Sequence, residues 1–498
     1  MIKFKRWPTI TEVPAIIEKM KSKIASIETG IENLSVKRVP KRTVDKMISN
    51  ILANEEDISC LRSLIYCHTY GGLEKFPAKL HAEVDHISSL AHEQYRKILN
   101  LKDERFETIS DYLNKVVIES DSELITKSME GLAELYSIAS TKEAHTKSGQ
   151  EICFTAFQTT AGLYRYLDNK ENSFLRKRLG TYETELSIVK LTEEIKNSAK
   201  EVFQQFLGNS NKSMDDIHHT SDLKLRKSFN DSKKTVINFF EEVHPEFGQI
   251  AKKIMTEGLI INNRSDTLFA VEAYRRLPRI IVKSSSKLKD EVGMVHELAH
   301  GINFVLTNSN NPISNAPMST LVMEYVPAFF ELLFLFSEYK KEKRRRTKRA
   351  ILDYIYHYFT DLFYSQTFTV EVENMLWLEL GDSIKTPNDL SKAYYKLIKN
   401  YYGGIVEIND SHKTGWIYHH NIFDPQLDLT YLLSFIYGYH SFIRFQSFRM
   451  TPDSLKEFLS KGSDADINTI IPLHDFLENP TQYIKEIIDS LAEYNRES

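Results

Sequence analysis

The sequence predicts a mainly α-helical fold, and three observations support this prediction. Glycine (18) and proline (14), the residues that most often end helices, are sparse in a chain of 498 residues. Apolar side chains recur at spacings of three and four, which is the period of a helix with one buried face. The clearest strand, Arg279–Lys283, is short, rich in β-branched residues and followed by three serines.

The elements can be placed in order along the chain. Amphipathic helices joined by short polar turns are predicted over residues 9–35, 43–72, 78–101, 122–140 and 183–208. Turn-forming residues are concentrated at Gly208–Ser213, which predicts a break in the chain. We therefore divide the sequence into an N-terminal helical region, 1–210, and a second region, 211–498.

Bulk composition excludes several classes of protein. The chain is 42% hydrophobic and 27% charged, as expected for a globular protein, and its net charge of -4 argues against general binding to nucleic acid or to membrane surfaces. Three cysteines with no zinc-like spacing make disulfides improbable and favour a cytoplasmic location. The sequence shows neither a signal-peptide pattern nor an apolar run of about 18 residues that would span a membrane.

One strongly basic run needs a separate interpretation. Lys340–Arg349 resembles a nucleic-acid or nuclear-import patch when it is taken alone. It lies between two apolar helical stretches of an acidic protein, so a solvated helix end followed by a turn is the better prediction.

Chemistry is most clearly indicated by His-Glu-Leu-Ala-His at 296–300. On a helix, His296 and His300 lie on one face, so both imidazoles can reach the same metal ion. Glu297 lies beside that ion, where it can accept a proton from water. About 0.07 chance occurrences are expected for this composition, so the motif is informative but requires a third ligand as support.

A candidate third ligand follows on a predicted apolar helix, 318–339, in which Pro327 is expected to cause a kink. Glu324 and Glu331 are seven residues apart and share one face of this helix. A carboxylate that points inward is costly unless it meets a cation or hydrogen-bond donors. We predict that Glu324 binds the metal and that Glu331 orients a ligand imidazole. The alternative for each is an ordinary surface carboxylate.

The predicted strand Arg279–Lys283 has two possible roles. As an edge strand just before the metal-binding helix, it could pair with an extended peptide. As a buried strand, it would be purely structural.

Several segments together resemble the thimet oligopeptidase and oligoendopeptidase F family of zinc metallopeptidases, most closely the oligoendopeptidase F branch. The family has an H-E-x-G-H helix, then a glutamate ligand nearly thirty residues on and another glutamate seven residues further. Three later segments resemble its R-Q-T-x-F-A-x-F-E, Y-Y-G and W-x-x-I-P-H-F-Y-x-x-P motifs in the same order. These segments are Ser365–Glu373, Leu390–Gly404 and Trp416–Pro425. The resemblance extends from about residue 265 to 445.

The resemblance implies a fold, a cofactor and further site residues. The fold would be a helical ellipsoid with a deep substrate channel and a small β-sheet near the zinc helix. One Zn2+ per chain would be held by His296, His300 and Glu324, with Glu297 as the general base. In register with the motif's proline, His420 and Tyr431 correspond to the residues that stabilise the oxyanion. Either could instead be a core residue, and His419 replaces His420 if the register shifts by one.

The implied activity is that of a cytoplasmic oligoendopeptidase acting on short unfolded peptides, with residues 211–498 as the catalytic region. We expect a monomer or weak homo-oligomer that binds neither nucleic acid nor membranes. Four departures from the family pattern are Ala299 for glycine, Asn303 for histidine, and Leu427 and Leu429 for tyrosines near the substrate. Two alternatives therefore stay open: a metallocarboxypeptidase of the carboxypeptidase Taq type, and a catalytically impaired, zinc-containing peptide-binding relative.

Overall fold

The computed structural model describes residues 4–36, 39–71, 73, 75–114, 116–117, 136–137, 139–140, 146–168, 191–200, 228–263, 268–284, 287–316, 318–419, 423, 427–469 and 480–497. The chain divides into two compact units, each assembled from three separate stretches. Unit 1 contains Met1–Glu123, Lys224–Met318 and Met450–Ala465, and unit 2 contains Leu124–Leu223, Ser319–Arg449 and Asp466–Ser498. The predicted boundary near residue 210 lies outside the described residues and stays a prediction.

Helices dominate the described part of the chain, which confirms the predicted mainly α-helical class. In chain order they are α1 (Val13–Val36), α2 (Lys41–Tyr70), α3 (Ala78–Leu101), α4 (Lys147–Asp168), α5 (Phe229–Val243), α6 (Pro245–Lys253), α7 (Leu288–Asn310), α8 (Thr320–Lys341), α9 (Arg345–Phe359), α10 (Gln366–Glu379), α11 (Pro387–Tyr402), α12 (Leu427–Gln446), α13 (Pro452–Leu459) and α14 (Pro480–Glu497). Two π-helical segments, Ile254–Gly258 and Thr360–Ser365, and a 3-10 helix, Asp410–Tyr418, join some of them.

The first three predicted helices are confirmed, and α3 has the predicted bounds, 78–101. Of the ranges 122–140 and 183–208, the structure describes only short helical pieces, including 191–200. The apolar helix predicted over 318–339 is α8, which runs without a break through Pro327.

The small sheet has three strands, β1 (Leu259–Ile261), β2 (Phe269–Val271) and β3 (Arg279–Val282), in the order β1-β3-β2. β3 pairs in parallel with β1 and antiparallel with β2. The predicted strand is therefore confirmed, but its possible role as an edge strand is wrong. Its last three residues, Ile280, Ile281 and Val282, are fully buried, and such a continuous apolar run is typical of a central strand.

Within unit 1, the sheet and the surrounding helices position α7. Helices α1, α2 and α3 pack against one another around one apolar core. Helix α7 lies on β2 and β3 and also contacts α5, α6 and α13. Asp290 and Glu291 lie in its first turn, where negative charge is favourable to the helix dipole. Because nearly all of α7 is buried, its side chains are held by packing on several sides.

Within unit 2, α8 and α12 pack together closely at Gly438. A Cβ atom at this glycine would lie 2.9 Å from the backbone nitrogen of Phe329 and 3.0 Å from the carbonyl carbon of Ala328. Backbone atoms on a packed helix cannot move aside easily. The glycine is therefore required by the close approach of the two helices.

Replacing Gly438 by alanine is expected to lower the free energy of unfolding by about 1–3 kcal/mol, because the added methyl group overpacks this contact. Urea denaturation measures the effect. Gly162→Ala is the matched control, since Gly162 also lies within a helix, α4, but a Cβ there meets none of the described atoms within 4 Å. The control is expected to be neutral or to stabilise by up to about 1 kcal/mol. Equal effects of the two substitutions would contradict the close-packing argument.

Among the described helices, α8 alone is long and apolar enough to meet the criteria for crossing a membrane, with a mean hydropathy of 1.5 in its most apolar window. The structure buries 78% of that window, as is usual for a core helix. The basic run Lys340–Arg349 spans the end of α8 and the start of α9, and most of it is exposed. The predicted solvated helix end and turn is confirmed.

A buried histidine lies where α12 meets α14. His440 is 6% exposed, and its ring stands edge-on to that of Tyr483 at 5.3 Å. Its Nδ1 atom lies 3.4 Å from a carboxylate oxygen of Glu486, whose side chain is 53% exposed. Burial lowers the pKa of His440 from 6.5 to about 4, because a hydrogen bond with the backbone of Tyr483 offsets only part of the cost of burying a charged imidazole.

This pKa shift predicts a loss of stability in acid. The unfolded chain binds the proton from about pH 6.5 downward, whereas the folded chain binds it only near pH 4. The contribution of His440 is therefore complete above pH 6.5 and declines toward pH 4, by about 3 kcal/mol in total. The difference in urea midpoint between wild type and His440→Gln, measured at several pH values, isolates this contribution. A difference that does not change between pH 7 and pH 4.5 would contradict the assignment.

Candidate metal centre

The two histidines of the motif lie together on α7, as the sequence predicts. The Nε2 atoms of His296 and His300 are 3.2 Å apart, and the ring centroids are 4.8 Å apart at an interplanar angle of 74°. Two ligand atoms on one metal at bond lengths of about 2.0–2.1 Å are separated by a similar distance. The pair is therefore already close to the spacing that a shared metal ion requires.

Burial keeps His300 neutral. The residue is 9% exposed, and its ring stacks on Phe304 with centroids 5.9 Å apart and an interplanar angle of 11°. Desolvation, followed by the nearby His296, lowers the pKa of His300 well below its usual value. A neutral imidazole keeps its lone pair available for a metal.

Glu324 completes a group of three potential ligands. It lies on α8, whose first turn is capped by Ser319, because the Ser319 hydroxyl oxygen accepts a hydrogen bond from the backbone N–H of Val322 at 3.3 Å. The ligand atoms of His296, His300 and Glu324 all lie within 4.8 Å of one another. In the part of the chain that the structure describes, this is the one group of three such residues.

The donor set suits zinc. Two neutral imidazoles and one carboxylate are the usual protein ligands of a catalytic zinc ion, and they leave one coordination position for water. Co and Mn accept the same donors, so the set indicates a divalent transition metal more strongly than zinc in particular.

The remaining motif residues are buried on the same helix. Glu297 is 4% exposed and directly follows the first histidine. Ala299 is fully buried, so its methyl group is accommodated without breaking α7. The role of Glu297 as the residue that transfers a proton stays a prediction.

Glu331 is buried, at 8% exposed, so the alternative of a surface carboxylate does not hold for it. Its Oε2 atom accepts a hydrogen bond from the hydroxyl of Tyr358, on α9. Desolvation, followed by the charge of Glu331, raises the pKa of Tyr358 well above its usual value, so this phenol stays protonated as a donor. The predicted role of Glu331 in orienting a ligand imidazole stays a prediction.

The predicted oxyanion donors are only partly described. His420 lies outside the described residues, and Tyr431 is half-buried on α12. His419, the alternative to His420, lies among aromatic side chains. Its Nε2 atom is 3.3 Å from the hydroxyl of Tyr394, and its ring meets that of Phe368 edge-on at 6.1 Å. The structure therefore gives His419 a packing environment, and the role of His420 stays a prediction.

Two polar contacts could not have been found in the sequence, one made by the predicted site residue Glu331 and one close in sequence to the predicted site residue Tyr431. The first is the hydrogen bond from Tyr358 to Glu331, because Tyr358 belongs to an aromatic-rich stretch that otherwise indicates core packing. The second joins α10 to the first turn of α12. There the amide nitrogen of Gln366 donates to the carbonyl oxygen of Asp428 at 3.1 Å and to its carboxylate at 2.6 Å. This clamp lies three residues before Tyr431.

Comparisons with known proteins address the fold. No protein-family model and no curated protein sequence matches the chain. A proposed peptidase from Chlamydophila abortus aligns over 98% of both chains with a TM-score of 0.72 and 14% identity. Oligoendopeptidase F from Enterococcus faecium aligns over 98% of this chain and 99% of its own with a TM-score of 0.59 and 13% identity. The M32 carboxypeptidase from Deinococcus radiodurans aligns over 91% of this chain and 99% of its own, also with a TM-score of 0.59, at 10% identity. The resemblance found in the sequence is therefore confirmed at the level of the fold.

Proposed function

We propose that this chain is a zinc-dependent oligoendopeptidase that cleaves short unfolded peptides. The observation that carries the proposal is the group formed by His296, His300 and Glu324, whose ligand atoms lie within 4.8 Å of one another. The peptidase names of the structures that share the fold support the same conclusion.

Each candidate site residue has a separate role in the proposed reaction. When bound, zinc would act as a Lewis acid and lower the pKa of a water molecule to about 7. Glu297 accepts a proton as water attacks the scissile carbonyl, and then delivers it to the leaving amine. His420 and Tyr431 donate hydrogen bonds to the oxyanion, a role that requires donors fixed in advance where negative charge develops.

The test combines metal analysis with mass spectrometry of a digested peptide library. We expect one zinc ion per chain, cuts at internal bonds of short peptides, and loss of cleavage after treatment with a chelator. Folded proteins should remain intact. Zinc-loaded protein that cleaves nothing in the library would refute the proposed activity.

The M32 carboxypeptidase with the same fold supports a second candidate, a metallocarboxypeptidase. Peptides blocked at both ends discriminate between the two, because an endopeptidase cuts them and a carboxypeptidase requires a free C-terminus. A third outcome, peptide binding without turnover, would favour an impaired relative. An impaired relative is considered because Leu427 and Leu429 stand where the family has tyrosines. Each absent tyrosine hydroxyl could cost transition-state stabilisation on the order of 3 kcal/mol.

A further inference from the structure

Two exposed segments of unit 2 form one surface, which we call the basic patch: Lys340–Arg349 and Gln446–Arg449. Eight of the ten residues in the first segment are lysine or arginine. The Nζ atom of Lys340 donates a hydrogen bond to Oε1 of Gln446 at 2.9 Å, so the two segments are neighbours. The concentration of positive charge is local, because the chain as a whole has a net charge of -4.

The positive charge of the first segment is unfavourable for helix α9, which begins within it. Helix α9 starts at Arg345, has no acidic residue in its first turn and receives no side-chain cap from Arg344. Cations at the positive end of a helix dipole are unfavourable. Local contacts compensate only part of this charge: Glu342 pairs with Arg344 at 2.9 Å, and Lys348 lies 4.5 Å from the centre of the Tyr339 ring.

Four cations of the first segment have no partner among the residues that the structure describes, and all four are exposed: Lys343, Arg345, Arg346 and Arg349. Three of them are arginines, whose planar guanidinium groups bind phosphate oxygens in pairs. Their arrangement is therefore unfavourable in the isolated protein and suited to a phosphate-bearing partner.

The second segment carries an apolar side chain in a strained conformation. Phe448 is 91% exposed and has a φ of 58°, in the left-handed region that a phenylalanine rarely adopts. Both its exposure and its backbone conformation are unfavourable in the free protein. Such outliers are found preferentially at functional sites, because packing alone would select against them.

We propose that the basic patch docks on the surface of an anionic phospholipid membrane, with Phe448 inserted among the headgroups. Clusters of lysine and arginine are attracted to anionic lipids, and an exposed aromatic ring adds an apolar anchor. The whole-chain charge argues against general membrane attraction, but screening confines the effect of the patch to about 10 Å at moderate salt. The attraction therefore acts locally, at this surface.

The composition of the patch favours a membrane over other anionic partners. A protein partner would require an apolar interface core, and Phe448 is the one large exposed apolar side chain of the patch. A single-stranded nucleic acid would require several aromatic platforms for successive bases. A bilayer requires only charge and one inserted side chain.

Sedimentation with lipid vesicles tests the proposal on the full chain. Wild type is expected to bind vesicles of two parts phosphatidylcholine to one part phosphatidylglycerol, but not vesicles of phosphatidylcholine alone. Binding should weaken strongly as salt is raised, because the charges are exposed. Absence of binding to the anionic vesicles at low salt would overturn the proposal.

Charge reversal separates the patch from the rest of the surface. The triple variant Arg345→Glu, Arg346→Glu and Arg349→Glu is expected to bind anionic vesicles at least tenfold more weakly. It should also unfold at a higher temperature, because acidic residues suit the first turn of α9. The matched control makes the same charge change on α11, with Lys392→Glu, Lys396→Glu and Lys399→Glu. Equal loss of binding in both triple variants would show that net charge, not the patch, is responsible.

The substitution Phe448→Gly tests the anchor. Glycine adopts positive φ without strain, so this variant is expected to be at least as stable as wild type. Its vesicle binding should fall several-fold, and the part that is lost should be insensitive to salt. Unchanged binding would remove Phe448 from the proposal. Binding of a single-stranded RNA as tightly as the vesicles, lost in the same charge variants, would replace the membrane by a nucleic acid and overturn the inference.

Discussion

Replacing Glu297 by glutamine is expected to reduce peptide cleavage by about a thousandfold, within the range that general acid and base catalysis supplies. Glutamine has nearly the same shape as glutamate but cannot accept the proton of an attacking water. His296, His300 and Glu324 are unchanged, so zinc should remain bound. Turnover of a quenched fluorescent peptide and metal content are measured on the same preparation.

The control for this substitution is Glu291→Gln, which alters another buried glutamate of α7. Its turnover is expected to stay within about threefold of wild type, because Glu291 is not assigned to the chemistry. Retained turnover in Glu297→Gln would refute the assignment of the general base. Loss of zinc together with turnover would instead indicate that Glu297 supports the ligands.

Replacing Glu324 by alanine is expected to lower zinc affinity by at least about a hundredfold, since losing even an outer partner of a ligand costs 10–100-fold. The two imidazoles would then hold the ion without their carboxylate partner. Competition with a chelator of known affinity measures the change directly. Peptide cleavage should fall in parallel at limiting zinc.

Glu338→Ala is the matched control, because Glu338 is a second half-buried glutamate on α8. Its zinc affinity is expected to equal that of wild type. A larger loss of zinc affinity in Glu338→Ala than in Glu324→Ala would contradict the ligand group, whatever the peptidase assay shows. The two glutamates thus separate metal binding from general effects on the helix.

The helices could be predicted where apolar residues at helical spacing indicate which face of the helix is buried. Helix α3 repeats buried side chains at helical spacing, from Val84 through Ile87, Ala91 and Tyr95 to Ile98, and its bounds were predicted correctly. Strand β3 was found by composition, but its central place was not. Whether a strand is flanked on both sides depends on β1 and β2, which are three residues each and too short to show a pattern.

Two kinds of site residue could be predicted from the sequence: those that lie close together on one helix, and those whose burial would cost free energy without a partner. The spacing of His296 and His300 fixes their common face within one helix, and this required no tertiary information. Glu324 was inferred from the cost of an inward carboxylate in an apolar helix. The donor to Glu331 lies on another helix, and no spacing rule connects Tyr358 to it. Assignments of His420 and Tyr431 depend on register alone, which leaves them predictions.

The discontinuous composition of the units has a consequence for biosynthesis. Unit 1 includes Met450–Ala465, and unit 2 includes Asp466–Ser498. A nascent chain therefore lacks part of both units until residues 450–498 have been synthesised. Contacts between such distant stretches of sequence also slow folding, since long loops must close first. Until residues 450–498 emerge, apolar surfaces of both units stay exposed on a long, incomplete chain, and such surfaces are prone to aggregate.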